Sequence, residues 1–367
     1  MTPPPSVLIL TTTEGHFSLA QACEDILKTA WVPSSIVLFE ESLLRFYSFV
    51  YRYKPHWYRP FFRFVNSPFI SWLATPLILA HNYARVRKAI EEHQPTVVIN
   101  TSFSFSPALS VLKKKYGFRF INVVPNTYTF FWHDIAMAAD VNFVFDERAK
   151  NVMQLVKPTA QLGVSGWFVR KKFYELPDLE KLRIQLGLRN VPTFLITSGS
   201  EGTQHVKDLV IQFTKQNTYP VQLVVTCGNN TALEKRLTAF ADQHQQLAPN
   251  SPTHIKVIGF TPKLHEYMHV ADLVVGKAGP NTVFEAVATI TPFLVTTHVG
   301  GLEDGVLEVI SSYGLGEIAE ETPRALKRMR VLLEQPDLIE KYKKACQKLA
   351  AINSQASKHL LESIQLT

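Results

Sequence analysis

Cysteine is scarce: Cys23, Cys227 and Cys346 are the only three in 367 residues. They form no C-x-x-C pair and are too few and too odd in number for a disulfide framework, so they read as reduced thiols. No apolar run reaches the ~18 residues without breakers that a spanning helix needs. The opening Met1-Thr2-Pro3-Pro4-Pro5 lacks the charged start of a signal peptide, and a cytoplasmic protein is expected. Two nucleotide signatures are also missing. There is no G-x-x-x-x-G-K-[ST], which speaks against a P-loop ATPase, and the first half has no G-x-G-x-x-G.

Acidic residues are absent from 42–90, while Arg45, Arg52, Lys54, Arg59, Arg63, Arg85, Arg87 and Lys88 fall within it. The whole chain carries 38 Lys plus Arg against 31 Asp plus Glu, a formal +7, which implies an anionic partner. The same stretch is dense in aromatics, among them Trp57, Phe61, Phe62, Phe69 and Trp72, with Pro68 and Pro76 breaking it. Trp and Tyr favour the headgroup layer, Arg and Lys attract anionic lipid, and the prolines prevent a long spanning helix. A membrane-facing insertion over 42–80 is one reading, with Arg52, Lys54, Trp57, Arg59, Arg63 and Trp72 as its contacts. A buried helical hairpin is a second. Stacking on single-stranded nucleic acid is a third, but nothing nearby resembles an RNA-binding pattern.

With 46% hydrophobic residues the chain can bury a sizeable core, most naturally as two domains. Elsewhere short β-branched runs alternate with amphipathic helical patterns, which predicts α/β units around parallel sheets. Strands are expected at 7–10, 35–39, 96–99, 118–123 and 141–145, then again at 194–197, 221–226, 255–258, 273–275 and 293–296. Gly163-Val164-Ser165-Gly166 reads as the linker. The domains are expected at 1–165 and 166–340, two doubly wound, Rossmann-like halves facing a cleft, with a C-terminal helix over 341–367 crossing back to the first.

Ligands of such sheets bind beyond the carboxyl ends of the strands. The first strand leads into Thr11-Thr12-Thr13-Glu14-Gly15-His16, with a helix opening near Phe17. His16 then stands at the cleft mouth, Gly15 allows close approach, and Glu14 can orient or tune the imidazole for proton transfer. A capping or packing histidine is the alternative. In the second half Ser198, Gly199, Ser200, Gly202 and Thr203 offer N–H groups and hydroxyls suited to phosphate, although Gly and Ser are also ordinary turn residues. A third loop, Lys277-Ala278-Gly279-Pro280-Asn281-Thr282, precedes a helix expected over 282–288, with Pro280 suited to an early helix position and Asn281 or Thr282 able to cap. Glu285 follows one turn in. Its two oxygens suit the paired hydroxyls of a ribose while the helix end accepts diphosphate charge, a geometry that fits a nucleotide.

These residues resemble the inverting glycosyltransferases of GT-B architecture that include monogalactosyldiacylglycerol synthases, bacterial diacylglycerol glucosyltransferases and the peptidoglycan N-acetylglucosaminyltransferase. The resemblance spans most of the chain. It is strongest over Val257-Ile258-Gly259-Phe260, Leu264-His265-Glu266-Tyr267-Met268, Ala271-Asp272-Leu273-Val274-Val275 and residues 277–286. It implies that backbone at Ile258 and Phe260 reads uracil, Glu285 holds the ribose, and 198–203 with 278–282 hold the diphosphate. His16 matches the family's Gly-His position. Gly15, Asn126 and Trp132 fall on the acceptor side, Asn126 where these enzymes often have an aspartate. The family's sugar-reading loop commonly runs Gly-Gln-Glu and then Asn; here it is Gly301-Leu302-Glu303-Asp304-Gly305-Val306. Leu302 cannot make the glutamine's hydrogen bonds, leaving Glu303 and Asp304 as the loop's polar groups.

The resemblance implies a hexosyltransferase moving a sugar from a UDP-sugar, a co-substrate rather than a resident cofactor, to a membrane lipid hydroxyl, diacylglycerol-like or polyprenyl-linked, with inversion. The first domain would bind the lipid acceptor and the second the donor. His16 is the expected base with Glu14 its helper. The chain contains no Asp-x-Asp, so no required metal is expected. The expected partners are the UDP-sugar, the lipid acceptor and an anionic membrane surface on the cytoplasmic face, with no nucleic acid. Two other classes stay open: a non-catalytic nucleotide- or lipid-binding protein on the same fold, suggested by Leu302, Val306 and Asn126, and a UDP-sugar epimerase, which gives the basic aromatic stretch no role.

Overall fold

The computed structural model describes residues 5–13, 15–40, 55–197 and 204–365. They form two compact units, each built on a six-stranded parallel sheet. The first comprises residues 1–171, 299–306 and 351–367, and the second 172–298 and 307–350. The sequence-drawn boundaries shift accordingly. The first unit runs on to Lys171, it takes 299–306 from the expected donor domain, and 341–350 stays with the second unit.

The strands of the first sheet are β1 (Val7–Thr12), β2 (Ser34–Phe39), β3 (Val97–Asn100), β4 (Arg119–Val123), β5 (Val141–Val144) and β6 (Leu162–Val164), in the order β2-β1-β3-β4-β5-β6. The chain starts mid-sheet, steps outward to β2 and then crosses to β3, which puts the topological switch between β1 and β3. β1 is buried at every position, as the uncharged run Val-Leu-Ile-Leu-Thr-Thr requires of a strand covered on both faces. The helices that matter for the site are α1 (Gly15–Thr29), α2 (Pro55–Val65), α3 (Pro68–His93) and α4 (Ser106–Tyr116). Ser67 caps α3, accepting from the Ile70 N–H at 3.4 Å, Pro68 takes the first turn, and Gln94 closes it in the left-handed conformation. Val86, Ala89 and Ile90 at its far end join Leu8, Leu10, Val98, Phe105 and Leu109 in the core. Each of the larger of these side chains contributes about 1.5–3 kcal/mol on burial. The expected linker at 163–166 is in part β6, paired to β5 through Gly163↔Phe143 and Val164↔Val144. Three residues with one glycine give no apolar run to read.

The second sheet has β7 (Thr193–Thr197), β8 (Val221–Thr226), β9 (Thr253–Ile258), β10 (Leu273–Lys277), β11 (Phe293–Thr297) and β12 (Gly316–Ile318), ordered β12-β11-β10-β7-β8-β9. Its switch lies between β7 and β10. At that seam Gly276 pairs with Thr197, and an added Cβ would lie 2.3 Å from Thr197 Oγ1 and 2.4 Å from the Thr197 carbonyl oxygen, so only glycine fits. Further helices are α5 (Pro280–Ala288), α6 (Asp304–Tyr313), α7 (Pro336–Asn353) and α8 (Ala356–Gln365). α8 packs on α1 within the first unit, and Asn353 Oδ1 accepts from the Trp167 N–H at 3.0 Å. Among the described residues no helix is long and apolar enough to cross a membrane.

Candidate active site

Because β1 and β3 are neighbours, the residues that follow them emerge side by side at the first sheet's switch point. His16 is the second residue of α1, and Thr101 follows β3 directly. The His16 Nδ1 lies 2.6 Å from the Thr101 carbonyl oxygen. A carbonyl can only accept, so Nδ1 carries the proton and donates it, and Nε2 is left with the basic lone pair. The Thr101 hydroxyl donates to Thr11 Oγ1 at 2.9 Å and approaches the His16 carbonyl at 3.2 Å, tying the two loops together. Burial draws the imidazole below its ordinary pKa, with the Thr101 bond acting against it, and the ring is neutral near pH 7. A neutral ring with a fixed tautomer is the resting state of a general base. Gly15 opens α1 and is exposed, while Glu14 lies outside the described residues.

A buried asparagine ladder supports this turn. Asn100, Asn122 and Asn142 are paired in register across β3, β4 and β5. Asn100 Nδ2 donates to Asn122 Oδ1 at 2.7 Å, and Asn122 Nδ2 to Asn142 Oδ1 at 2.8 Å. At one end Asn100 Oδ1 accepts from the Ser102 N–H at 3.2 Å; at the other Asn142 Oδ1 accepts from the Ala136 N–H at 2.8 Å. Reading the sequence missed the ladder, although an asparagine inside three successive apolar strands was a signal.

The acceptor-side residues sit beyond β4. Asn126 is buried and donates to Asp134 Oδ2 at 2.7 Å, the same oxygen that accepts from the Phe131 N–H at 2.7 Å. Burial pushes Asp134 up to about 7 against these bonds and the nearby Lys157, and Lys157 is itself brought down to about 8 by burial. Lys157 donates to the Ile135 carbonyl at 2.8 Å and stands 4.7 Å from the Trp132 ring centroid. The Trp132 N–H donates to Asn66 Oδ1 at 2.6 Å. Asn126 therefore holds its own loop in shape.

In the second unit both phosphate-loop candidates follow the switch-point strands. Ser198, Gly199, Ser200, Gly202 and Thr203, after β7, lie outside the described residues. After β10, whose last residue is Lys277, come Ala278 and Gly279. The expected helix start at Thr282 is corrected: α5 begins at Pro280 with Gly279 at the cap position, so Asn281 and Thr282 belong to its first turn. Gly279 has no side chain with which to cap this end. The first-turn N–H groups and the helix dipole together favour a bound anion. Glu285, in the next turn, is buried. Ile258 ends the edge strand β9, and its carbonyl accepts from the Cys227 N–H at 2.8 Å, with a second lone pair remaining for a ligand. The Phe260 ring is 72% exposed, an open aromatic face suited to stacking on a base.

The loop 299–306 belongs to the first unit. Glu303 is buried and its Oε2 accepts from the Val299 N–H at 2.6 Å. Asp304 Oδ1 accepts from the Gly301 N–H at 3.0 Å and from Arg59 Nη2 at 2.9 Å. Arg59, expected to face a membrane, is thus ion-paired, and the carboxylate comes from far along the chain because its own neighbourhood supplies none. Among the described residues no three His, Cys, Asp or Glu side chains are grouped to hold a metal.

Residues 193–299 match the family model of the glycosyltransferase family 28 C-terminal domain. A processive diacylglycerol β-glucosyltransferase of Bacillus subtilis (strain 168) is 27% identical over 288 residues, 76% of this chain and 71% of the relative. The MurG structure from Acinetobacter baumannii superposes with a TM-score of 0.62 over 100% of both chains at 14% identity. HepE from Anabaena in complex with UDP-glucose gives 0.56, covering 98% of this chain and 100% of that one, also at 14% identity. Residues 193–299 thus form a glycosyltransferase family 28 C-terminal domain, and the two parallel-sheet units have the GT-B fold of these neighbours.

In the first unit the acid-free stretch divides in two. Tyr58 and Phe62, one turn apart on α2, are buried with Val299 against Phe131 and Leu302, so the hairpin reading holds for them. On α3 the opposite holds: Phe69, Trp72, Leu73 and Leu77 are 68%, 68%, 56% and 74% exposed. Their spacing puts all four on one face of the helix. Arg63 is exposed near the end of α2. Arg52, Lys54 and the side chain of Trp57 lie outside the described residues.

Proposed function

We propose that the protein transfers a sugar from a UDP-sugar to a hydroxyl of a membrane lipid, with inversion, at the cytoplasmic face of a membrane. The observation that carries this is the His16 Nδ1 bond to the Thr101 carbonyl, which leaves Nε2 basic at the first switch point. The diacylglycerol β-glucosyltransferase relative and the UDP-glucose complex of HepE support the lipid acceptor and the donor class. Nε2 takes the acceptor hydroxyl proton as that oxygen attacks the anomeric carbon, and the bond from that carbon to the diphosphate breaks on the opposite face. The departing UDP carries its charge to the α5 N-terminus, Glu285 holds the ribose, and Phe260 stacks on the uracil. The loop 301–305 meets the donor sugar through Glu303 and Asp304. The exposed α3 face and Arg63 contact anionic lipid. No metal is required.

The test is a screen of UDP-glucose, UDP-galactose and UDP-N-acetylglucosamine against membrane lipid extract, with and without a chelator. A glycolipid formed in the chelator's presence supports the whole reading. A changed sugar nucleotide without any lipid product favours the epimerase. Donor binding with no product of either kind favours a binding protein.

A further inference from the structure

The loop between Val299 and Val306 owes its shape to neighbours distant in sequence. Gly301 has φ +97°, and an added Cβ there would lie 3.0 Å from Phe62 Cδ1 and 3.2 Å from Phe62 Cβ, so α2 rests directly on the loop backbone. Tyr58 and Phe62 bury Val299 beneath the same helix. Between them on α2, Arg59 reaches Asp304 at 2.9 Å, and the carboxylate oxygen it holds is the one that accepts from Gly301. On another side the Thr129 hydroxyl donates to the Leu302 carbonyl and accepts from the Gly305 N–H at 3.1 Å.

We infer that α2 is a positioning element for this loop: Arg59 and Phe62 set where Glu303 and Asp304 stand, so residues next to the lipid-facing helix govern use of the donor's sugar. This rests on the proposed role of the loop in meeting that sugar. Removing the guanidinium leaves Asp304 oriented by the Gly301 N–H without its cross-chain partner, and trimming Phe62 uncovers the Gly301 backbone. UDP itself lacks the sugar and has no stake in either contact.

The experiment uses the full chain without vesicles and compares, by calorimetry, affinity for UDP and for UDP-glucose, UDP-galactose and UDP-N-acetylglucosamine. Arg59→Gln is expected to weaken the preferred UDP-sugar about three- to tenfold, the range for a part-exposed, charge-assisted hydrogen bond, with UDP affinity unchanged. Arg59→Lys should recover part of the loss, and Phe62→Leu, checked for folding by circular dichroism, should reproduce it. The inference is overturned if Arg59→Gln and Phe62→Leu both bind the UDP-sugar like wild type while Asp304→Ala binds it more weakly. It is overturned equally if UDP affinity falls in step with UDP-sugar affinity. Should Asp304→Ala and Glu303→Gln also bind every UDP-sugar like wild type, the loop does not meet the sugar, and the proposed role of the loop falls with the inference.

Discussion

At the scale of single residues, His16 and Glu285 are assigned to different steps, and two measurements separate them. His16→Ala is expected to lower turnover on the order of a hundredfold or more, the usual size of general-base catalysis, while leaving UDP affinity intact. A matching loss of donor affinity in calorimetry would make it a binding residue. Its environment also fixes a pH dependence. Burial lowers the pKa of the folded-state imidazole, so the active neutral form persists as pH falls through the ordinary value of about 6.5 and is lost only below it. The acid limb of the turnover profile should therefore lie below 6.5, and a limb above it would contradict the half-buried, Thr101-bonded geometry. Glu285→Ala acts on the donor alone, weakening UDP by roughly 1–3 kcal/mol if the carboxylate accepts ribose hydroxyls. UDP affinity equal to wild type in a folded variant would remove it from the donor site.

Elements differ in how much of themselves they write into local sequence. Asn122 shows the limit. Asn122→Leu should cost on the order of 1–3 kcal/mol in urea unfolding, because Asn100 Nδ2 and Asn142 Oδ1 each lose a buried partner. An unchanged midpoint would mean the ladder is idle. β1, β7, β8 and β11 were legible because a strand covered on both faces must be an apolar run. β6 and β12, three residues each at sheet edges, have only their pairing to define them. The start of α5 was misread by two residues because serine-like caps were sought where Gly279 serves through its backbone. Among site residues, His16 was legible from its loop, while its partner Thr101 was not. The pairing of Arg59 with Asp304 joins positions 245 apart, which no local spacing encodes. Asn126 was read from resemblance as a ligand contact; only tertiary structure shows Asp134 beside it.

For the whole molecule, net charge and exposed apolar surface compete as the source of the proposed membrane attachment. The formal +7 and the eight basic residues of the acid-free stretch suggest an electrostatic hold. Arg45, Arg52 and Lys54 lie outside the described residues; of the other five, Arg59 is paired with Asp304, Arg87 with Glu91 and Lys88 with Glu92, and Arg85 donates to Asn82 and stacks over Phe39. Arg63 is exposed and forms no ion pair among the described residues. A basic residue near an anionic surface contributes about 1 kcal/mol, screened by salt. A large apolar side chain contributes about 1.5–3 kcal/mol on full burial, and Phe69, Trp72, Leu73 and Leu77 stand ready on one face. Apolar insertion should dominate. Pelleting with phosphatidylglycerol vesicles is therefore expected to fall only partly when salt is raised from low to high. Trp72→Glu combined with Leu77→Glu should abolish the salt-resistant fraction, and Arg63→Glu should trim only the salt-sensitive part. UDP affinity should stay the same in both variants. If the double variant still pellets at high salt, the α3 face is not what meets the lipid, and the attachment must come from elsewhere on the chain.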